Sequence, residues 1–256
     1  MDLNGLLRHA VEMGASDIHL KIGRPPIVRC DGRLDPIEGF PPLDEATLAS
    51  MLQIIGSRSP ERLQHFHEKG DLDIAYQDED LPRFRVNAYR QRGATSFAFR
   101  VIPRKVPTLA ELGMPAVVQT IAEEHRGLIL VTGATGSGKT TTLAAMIDHM
   151  NKTRSQHVIT IEDPIEILHE DQGCIVNQRE VGLDTADFGQ ALRRALRQDP
   201  DIILIGELRD AETAQTALQA AESGHLVLST LHTIDASETV GRMVEFFPPE
   251  KQQVIR

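Results

Sequence analysis

The segment Gly133-Ala-Thr-Gly-Ser-Gly-Lys139-Thr140 constrains the fold of this chain more than any other feature. It matches the pattern G-x-x-x-x-G-K-[S/T] and stands between an apolar run, Leu128–Val131, and a helix-like segment, Thr141–Met150. A strand, a glycine-rich loop and a helix in this order predict a phosphate cradle, because backbone N–H groups and the positive end of the helix dipole face the anion. The alternative is a glycine-rich turn that binds nothing.

The cradle predicts a triphosphate ligand and a metal ion. Small residues let successive backbone N–H groups converge on phosphate oxygens, Lys139 neutralises charge on the β- and γ-phosphates, and Thr140 offers a hydroxyl to Mg²⁺. We therefore expect ATP and Mg²⁺ as cofactors. The predicted nucleotide-binding residues are Gly133, Ala134, Thr135, Gly136, Ser137, Gly138, Lys139, Thr140 and Thr141.

The composition excludes several other classes of protein. A formal net charge of −10 over 256 residues disfavours capture of nucleic acid, which needs clustered basic side chains. The apolar runs are far shorter than the roughly 18 residues that cross a bilayer, and the amino terminus lacks a secretory pattern, which predicts a cytoplasmic protein. Cys30 and Cys174 are too few and too far apart for a disulfide framework or a zinc site.

Two architectures are predicted along the chain. Residues 1–102 mix short strands with helices, as in an α+β domain with an antiparallel sheet; the proline-bracketed segment 103–107 is a linker; residues 108–256 alternate apolar strands with amphipathic helices, as in a parallel α/β sheet. The predicted strands of the second part are Leu128–Thr132, Val158–Ile161, Ile175–Asn177, Ile202–Ile205 and Val227–Thr230. Its predicted helices include Thr185–Arg197 and one that begins after Asp210.

Carboxylates follow two of these strands. We call Glu162–Glu166 the acidic turn; it follows the second strand and contains Asp163 and Pro164. Glu207 follows the fourth strand, but Gly206 stands where most enzymes with a P-loop carry a Mg²⁺ aspartate, so the metal depends more on Glu207, water or the acidic turn. The carboxyl ends of parallel strands share one edge, where ligands bind. A solvated acidic turn, or a weak or inactive site, is the alternative.

Histidines and arginines complete the candidate set. His225 and His232 flank the last strand, and a histidine after that strand could sense the γ-phosphate, although packing or capping is the more common role. In the first part, Arg83, Arg85, Arg90, Arg92 and Arg100 lie within eighteen positions. They are either the polar face of a sheet or arginines that a neighbouring subunit inserts beside phosphate, which a guanidinium can bind in bidentate fashion.

The ordered motifs GATGSGKTT, TIEDPIE, ILIGELRD and HLVLSTLHTIDA, preceded by GASDIHL, resemble the secretion ATPase superfamily of type II secretion and type IV pili. The resemblance covers the whole chain and is nearest to the PilT-type branch, which retracts pili in twitching motility. It implies a hexameric ring of RecA-like P-loop domains with PAS-like amino-terminal domains. Glu166 and Glu207 correspond to catalytic carboxylates that also approach the metal, and Gly206 is normal for the family.

The resemblance also implies roles for other residues and partners. Lys139, His225 and His232 belong to the family's catalytic motifs, and Arg85 and Arg100 match the segment that brings arginines to nucleotide. The implied partners are five further copies of the chain, an inner-membrane platform protein, the pilus machinery and, in some systems, a paralogous ATPase. We expect a cytoplasmic protein peripherally associated with the inner membrane through that machinery, without nucleic acid or zinc.

Three other functions stay open at this point. Assembly and type II secretion ATPases usually carry an extra amino-terminal domain and a tetracysteine zinc module, which this sequence lacks. The family also normally continues beyond the position of Arg256 into a helical region. A nucleotide-binding paralogue with little turnover is favoured by Gly206 and the short carboxyl end. A nucleic-acid translocase is disfavoured by the acidic charge.

Overall fold

The structure is a computed structural model that describes residues 2–57, 59–78, 80–103, 105–250 and 252. The chain divides into two compact units, Met1–Pro103 and Arg104–Arg256. No helix among these described residues is long and apolar enough to cross a membrane.

The first unit is an α+β domain built on a six-stranded antiparallel sheet of strand order β3-β2-β1-β6-β5-β4. Its helices are α1 (Leu3–Glu12), α2 (Glu45–Gly56) and α3 (Pro60–Lys69). Its strands are β1 (Asp17–Lys21), β2 (Ile27–Cys30), β3 (Arg33–Pro36), β4 (Asp71–Tyr76), β5 (Phe84–Gln91) and β6 (Ala94–Val101).

Alternating side chains give this sheet two different faces. The buried face carries Phe97 and Phe99 of β6 and Val86 of β5, which pack in one core with residues of α1 and α2. The opposite face carries charged residues in register: Arg100 lies opposite Asp17 of β1 on one side and Arg85 of β5 on the other. The predicted arginines of β5 and β6 are therefore direct neighbours.

The second unit is an α/β domain whose five strands are all parallel, in the order β7-β11-β10-β8-β9. Its strands are β7 (Gly127–Thr132), β8 (His157–Glu162), β9 (Ile175–Glu180), β10 (Ile202–Ile205) and β11 (Leu226–Leu231). Its helices are α4 (Ala116–Ala122), α5 (Lys139–Thr153), α6 (Phe188–Ala195), α7 (Ala211–Glu222) and α8 (Ala236–Glu245). The antiparallel sheet of the first unit and this parallel sheet confirm the predicted α/β class.

Helices cover both faces of the parallel sheet, which is why β10 and β11 are apolar along most of their length. On one face Leu204 and Leu228 pack with Met146 of α5, and on the other Ile203 and Val227 pack with residues of α6 and α7. Both strands are buried at every residue. This burial makes the sheet a rigid support for the loops that follow its strands.

Several element boundaries differ from the sequence-based ones. β9 continues to Glu180, three residues beyond its predicted end, although Gln178 and Glu180 are polar. The helix predicted over Thr185–Arg197 is shorter, because Asp187 is its N-cap and accepts a hydrogen bond from the backbone N–H of Gln190 at 2.7 Å. The helix predicted after Asp210 is confirmed, and Asp210 is its N-cap.

Candidate active site

The candidate site lies at the carboxyl edge of the parallel sheet. The glycine-rich loop follows β7, the acidic turn follows β8, Glu207 follows β10 by two positions, and His232 directly follows β11. Since these strands are parallel and paired in register, all four segments leave the sheet at the same edge. The fold therefore assembles motifs that are spread over about a hundred residues of sequence.

The glycine-rich loop turns sharply into α5. Gly138 is the N-cap of α5 and has a φ of 94°, a left-handed conformation that glycine adopts without the steric strain of a side chain. Residues 134–137 are exposed, and Thr140 and Thr141 lie in the first helical turn. The predicted nucleotide-binding residues thus form an open loop at a helix N-terminus, the arrangement that binds anions.

Lys139 folds back over this loop. Its ammonium group donates to the carbonyl oxygens of Gly133 at 2.9 Å and Ala134 at 3.0 Å. It also lies 3.4 Å from Nδ1 of His232. These are backbone and imidazole partners rather than carboxylates, so the lysine charge is available to an anion placed against the loop.

His232 joins Lys139 to Glu207. Because an ammonium group only donates hydrogen bonds, Nδ1 of His232 accepts from Lys139, and the ring hydrogen is assigned to Nε2. Nε2 lies 3.5 Å from Oε2 of Glu207. Lys139, His232 and Glu207 therefore form a continuous polar chain, which we call the site chain, from the glycine-rich loop to the carboxylate after β10.

The acidic turn presents one carboxylate outward and holds another inside. Glu166 is exposed, whereas Glu162 is only 8% exposed. The Glu162 carboxylate accepts hydrogen bonds from Oγ1 of Thr160 at 2.6 Å, from Nε2 of Gln178 at 3.1 Å and from the backbone of Glu166. Burial raises the pKa of Glu162, and the three donors oppose that shift.

The whole chain matches known proteins. Residues 1–252 match the family described as type II/IV secretion system protein. The chain is 48% identical to the type IV pilus retraction ATPase PilT of Pseudomonas aeruginosa over 256 residues, which are all of this chain and 74% of that protein. It is 43% identical to the type IV pilus ATPase PilU of the same organism, covering 98% of this chain and 65% of that one.

A solved structure agrees with this relationship. The crystal structure of the pilus retraction motor PilT with bound ADP superposes with a TM-score of 0.94 at 46% identity, over all of this chain and 74% of that one. The chain belongs to the type II/IV secretion system protein family. It is a secretion ATPase similar to PilT and PilU.

The secretion ATPase does not bring its two predicted histidines together. His225 precedes β11, whereas His232 follows it, and the six residues of that strand rise about 20 Å. Nδ1 of His225 lies 3.0 Å from the carbonyl oxygen of Ala220, at the end of α7. Within this unit His225 thus contacts a helix terminus at the edge opposite the glycine-rich loop, and only His232 joins the site chain.

The two predicted arginines lie in the first unit of the secretion ATPase, each beside a carboxylate. Nε of Arg100 is 3.0 Å from Oδ1 of Asp17, and Nε of Arg85 is 3.9 Å from Oδ1 of Asp73. The arginine side chains are 67% and 41% exposed, respectively. Their guanidinium groups are therefore open to a further anionic partner.

Arg209, two residues after Glu207, lies in the site although its position in the sequence predicts no role for it. Its guanidinium group contacts Oε1 of Glu207 at 2.5 Å and Oδ2 of Asp163 at 3.3 Å, and lies over the ring of Phe188. The hydrogen bond to Glu207 raises the pKa of Arg209. The only signal for this role was the arginine within the ILIGELRD motif.

Proposed function

We propose that this secretion ATPase binds ATP with Mg²⁺ at the carboxyl edge of its parallel sheet and hydrolyses it to power retraction of a type IV pilus. The observation that carries the proposal is the site chain from Lys139 through His232 to Glu207, which links a phosphate-binding loop to a carboxylate. The 48% identity to PilT supports the proposal that ATP hydrolysis drives pilus retraction.

The glycine-rich loop is the proposed nucleotide site. The PilT structure that this chain resembles contains ADP. When a triphosphate occupies the loop, its backbone N–H groups and the N-terminus of α5 bind phosphate oxygens, and Lys139 exchanges the carbonyl oxygens of Gly133 and Ala134 for the β- and γ-phosphates.

The donor atoms at this edge of the sheet fit Mg²⁺. Magnesium prefers hard oxygen ligands and keeps several waters, so one hydroxyl and one or two carboxylates are sufficient beside the phosphates. Thr140 would supply the hydroxyl, and Glu207 and Glu166 would supply the carboxylates. A bound Mg²⁺ would neutralise charge on the phosphate oxygens, and the carboxylates of Glu207 and Glu166 would replace the aspartate that is missing at Gly206.

The residues of the site have distinct parts in the proposed reaction. A water oxygen attacks the γ-phosphorus, the bond from that phosphorus to the bridging oxygen of ADP breaks, and the water proton passes to Glu207 or Glu166. His232 orients the Glu207 carboxylate through Nε2, and Lys139 stabilises the negative charge on the transferred group.

The remaining parts of the proposal concern assembly. We propose a homo-hexamer in which Arg85 and Arg100 of one subunit reach the phosphates of its neighbour, with RecA-like parallel-sheet units and PAS-like first units. The exposure of both guanidinium groups supports this role. The proposed setting is the cytoplasmic face of the inner membrane, on a platform protein of the pilus machine.

A second candidate is an accessory ATPase that assists a retraction motor. The 43% identity to PilU favours it. The two candidates differ in whether the protein alone retracts pili.

Phosphate release from ATP tests the enzyme activity. We expect Mg²⁺-dependent release by the full-length protein, its loss on Lys139→Ala, and its retention on Lys152→Ala, since Lys152 lies on the same helix but pairs with Asp148. Equal activity of the Lys139 variant and the parent protein would contradict the proposed site. Pilus retraction imaged in cells lacking every other retraction ATPase separates the motor from the accessory protein.

A further inference from the structure

Two neighbouring strands place four polar side chains on one face of the sheet, beside the acidic turn. Thr160 and Glu162 of β8 lie directly opposite Gln178 and Glu180 of β9. Thr160, Glu162 and Glu180 are each less than 9% exposed. Buried polar groups almost always have hydrogen-bond partners. The partners of these side chains therefore show which segment of the chain they hold in place.

Gln178 uses every hydrogen-bonding group of its amide except one acceptor position. Nε2 donates to Oε1 of Glu162 at 3.1 Å and to the carbonyl oxygen of Ile167 at 2.9 Å, while Oε1 accepts from the backbone N–H of His169 at 2.8 Å. One side chain therefore binds the first residue of the acidic turn and, at two points, the chain that follows the turn.

The two glutamates bind the turn between those points. The Glu162 carboxylate accepts from the backbone of Glu166, and Oε2 of Glu180 accepts from the backbone N–H of Ile165 at 3.2 Å. Further along, Asn151 of α5 donates to the carbonyl oxygen of Glu170 at 2.7 Å and accepts from the N–H groups of Gln172 and Cys174. Hydrogen bonds from side chains, rather than from a helix or a sheet, thus hold most of residues 163–174 in place.

We propose that Gln178 is a positioning residue that fixes the acidic turn and, through it, the Glu166 carboxylate that takes part in ATP hydrolysis. The inference rests on the proposed function, because Glu166 acts only if the site hydrolyses ATP. Gln178 binds neither the glycine-rich loop nor the site chain, so its effect is on the chemical step rather than on nucleotide affinity. A displacement of about 1 Å at a reacting group costs up to about 100-fold in rate.

Gln178→Met tests this inference, because methionine matches the length of glutamine and makes none of its three hydrogen bonds. We expect kcat of the full-length protein to fall about 10- to 100-fold with KM for ATP and nucleotide affinity within about twofold of the parent. The matched control is Asn177→Leu. Asn177 neighbours Gln178 on β9, points to the opposite face and bonds Nε2 of His157, so its loss leaves the turn intact.

Gln178→Glu provides a second readout that a merely structural role would not move. The introduced carboxylate accepts hydrogen bonds but donates none to Glu162 or Ile167, whereas in its protonated form it donates one. The groups around it are Glu162 of β8, Glu180 of β9, His169 and, through His169, Asp148 of α5. Because burial beside the carboxyl groups of Glu162 and Glu180 raises the pKa of an introduced carboxyl group, we expect the ratio of variant to parent kcat to rise as the pH falls from 8 to 6.

The outcomes separate this inference from the proposed function. A parent protein without ATPase activity contradicts the proposed function itself. An active parent with unchanged kcat in Gln178→Met, or a pH-independent ratio for Gln178→Glu, overturns the positioning role alone. If thermal melting shows that the methionine variant does not fold, the ratio for Gln178→Glu decides.

Discussion

Arg209 is the residue that joins the two acidic segments of the site. It binds Glu207 and Asp163 at once while its guanidinium group lies on the face of Phe188. An exposed ion pair adds little to stability, typically 0–1 kcal/mol. The arrangement therefore matters more for the direction of the Glu207 carboxylate than for the free energy of unfolding.

Replacement of Arg209 should consequently affect turnover and not folding. We expect Arg209→Met to lower kcat about tenfold with the melting temperature nearly unchanged. This loss is smaller than the roughly 100- to 1000-fold loss on removing a donor that touches the reacting atoms, because Arg209 acts through Glu207. Arg242→Met is the matched control. Arg242 of α8 also lies over an aromatic ring, that of Phe246, and also pairs with a carboxylate, that of Glu245. A normal kcat in the Arg209 variant would show that Glu207 needs no such support.

His169 makes folding sensitive to acid. Burial lowers its pKa from 6.5 to about 4, and Asp148 opposes the shift only in part. Between these values the unfolded chain takes up a proton that the folded chain does not, so the free energy of unfolding falls as the pH falls from about 6.5 to about 4. One such group contributes at most about 1.4 kcal/mol per pH unit.

The contribution of His169 is measurable by urea denaturation at several pH values. We expect His169→Gln to flatten the pH dependence between pH 6.5 and pH 4 relative to the parent. The substitution of exposed His65 in α3 by Gln serves as the control and should keep the parental slope. Identical slopes in all three proteins would mean that His169 does not remain neutral in the folded state.

At the scale of single elements, the N-cap of α6 defines where that helix begins. Asp187 accepts from the N–H of Gln190, and α6 then buries Phe188, Ala191 and Leu192. We expect Asp187→Ala to lower the free energy of unfolding by about 1 kcal/mol, and Asp187→Asn, which keeps an acceptor, to lower it by less. Chemical denaturation measures both; equal losses would show that the acceptor is not what stabilises the helix start.

Elements with strong local signals were predictable from sequence. β10 and β11 are apolar because helices cover both faces of the sheet. Gly138 and Lys139 predict the glycine-rich loop and the start of α5. β9 was predicted too short, because Gln178 and Glu180 are polar strand residues whose partners lie on β8 and in the acidic turn. Only the folded chain shows such partners.

In the site, too, residues with a local sequence signal are predictable, and residues that depend on partners elsewhere in the fold are not. Glu207 and His232 are predicted as site residues because each follows an apolar strand, and the fold brings them within 3.5 Å of one another. His225 carried a similar signal, yet the length of β11 separates it from the loop. The sequence around Arg209 and around Gln178 does not predict a role for either residue, because each contacts a carboxylate in or beside another strand.

At the scale of the whole molecule, each site of the proposed ring contains residues of two subunits: the glycine-rich loop of one and the arginines of its neighbour. A mixture of Lys139→Ala and Arg100→Ala chains should then recover activity, since an Arg100→Ala subunit keeps its loop and receives the arginine of a Lys139→Ala neighbour. We expect each variant alone to be nearly inactive and the mixture to regain a measurable share of parental phosphate release. Activity of the mixture equal to the average of its parts would contradict a shared site.

We propose above all that this secretion ATPase hydrolyses Mg²⁺-ATP at a site that is completed when subunits assemble. The most direct measurement is phosphate release from ATP by the full-length protein over a wide range of protein concentration, with Lys139→Ala alongside. We expect specific activity that rises with concentration to a plateau and vanishes in the variant. Saturable ATP binding without phosphate release at any concentration would contradict it.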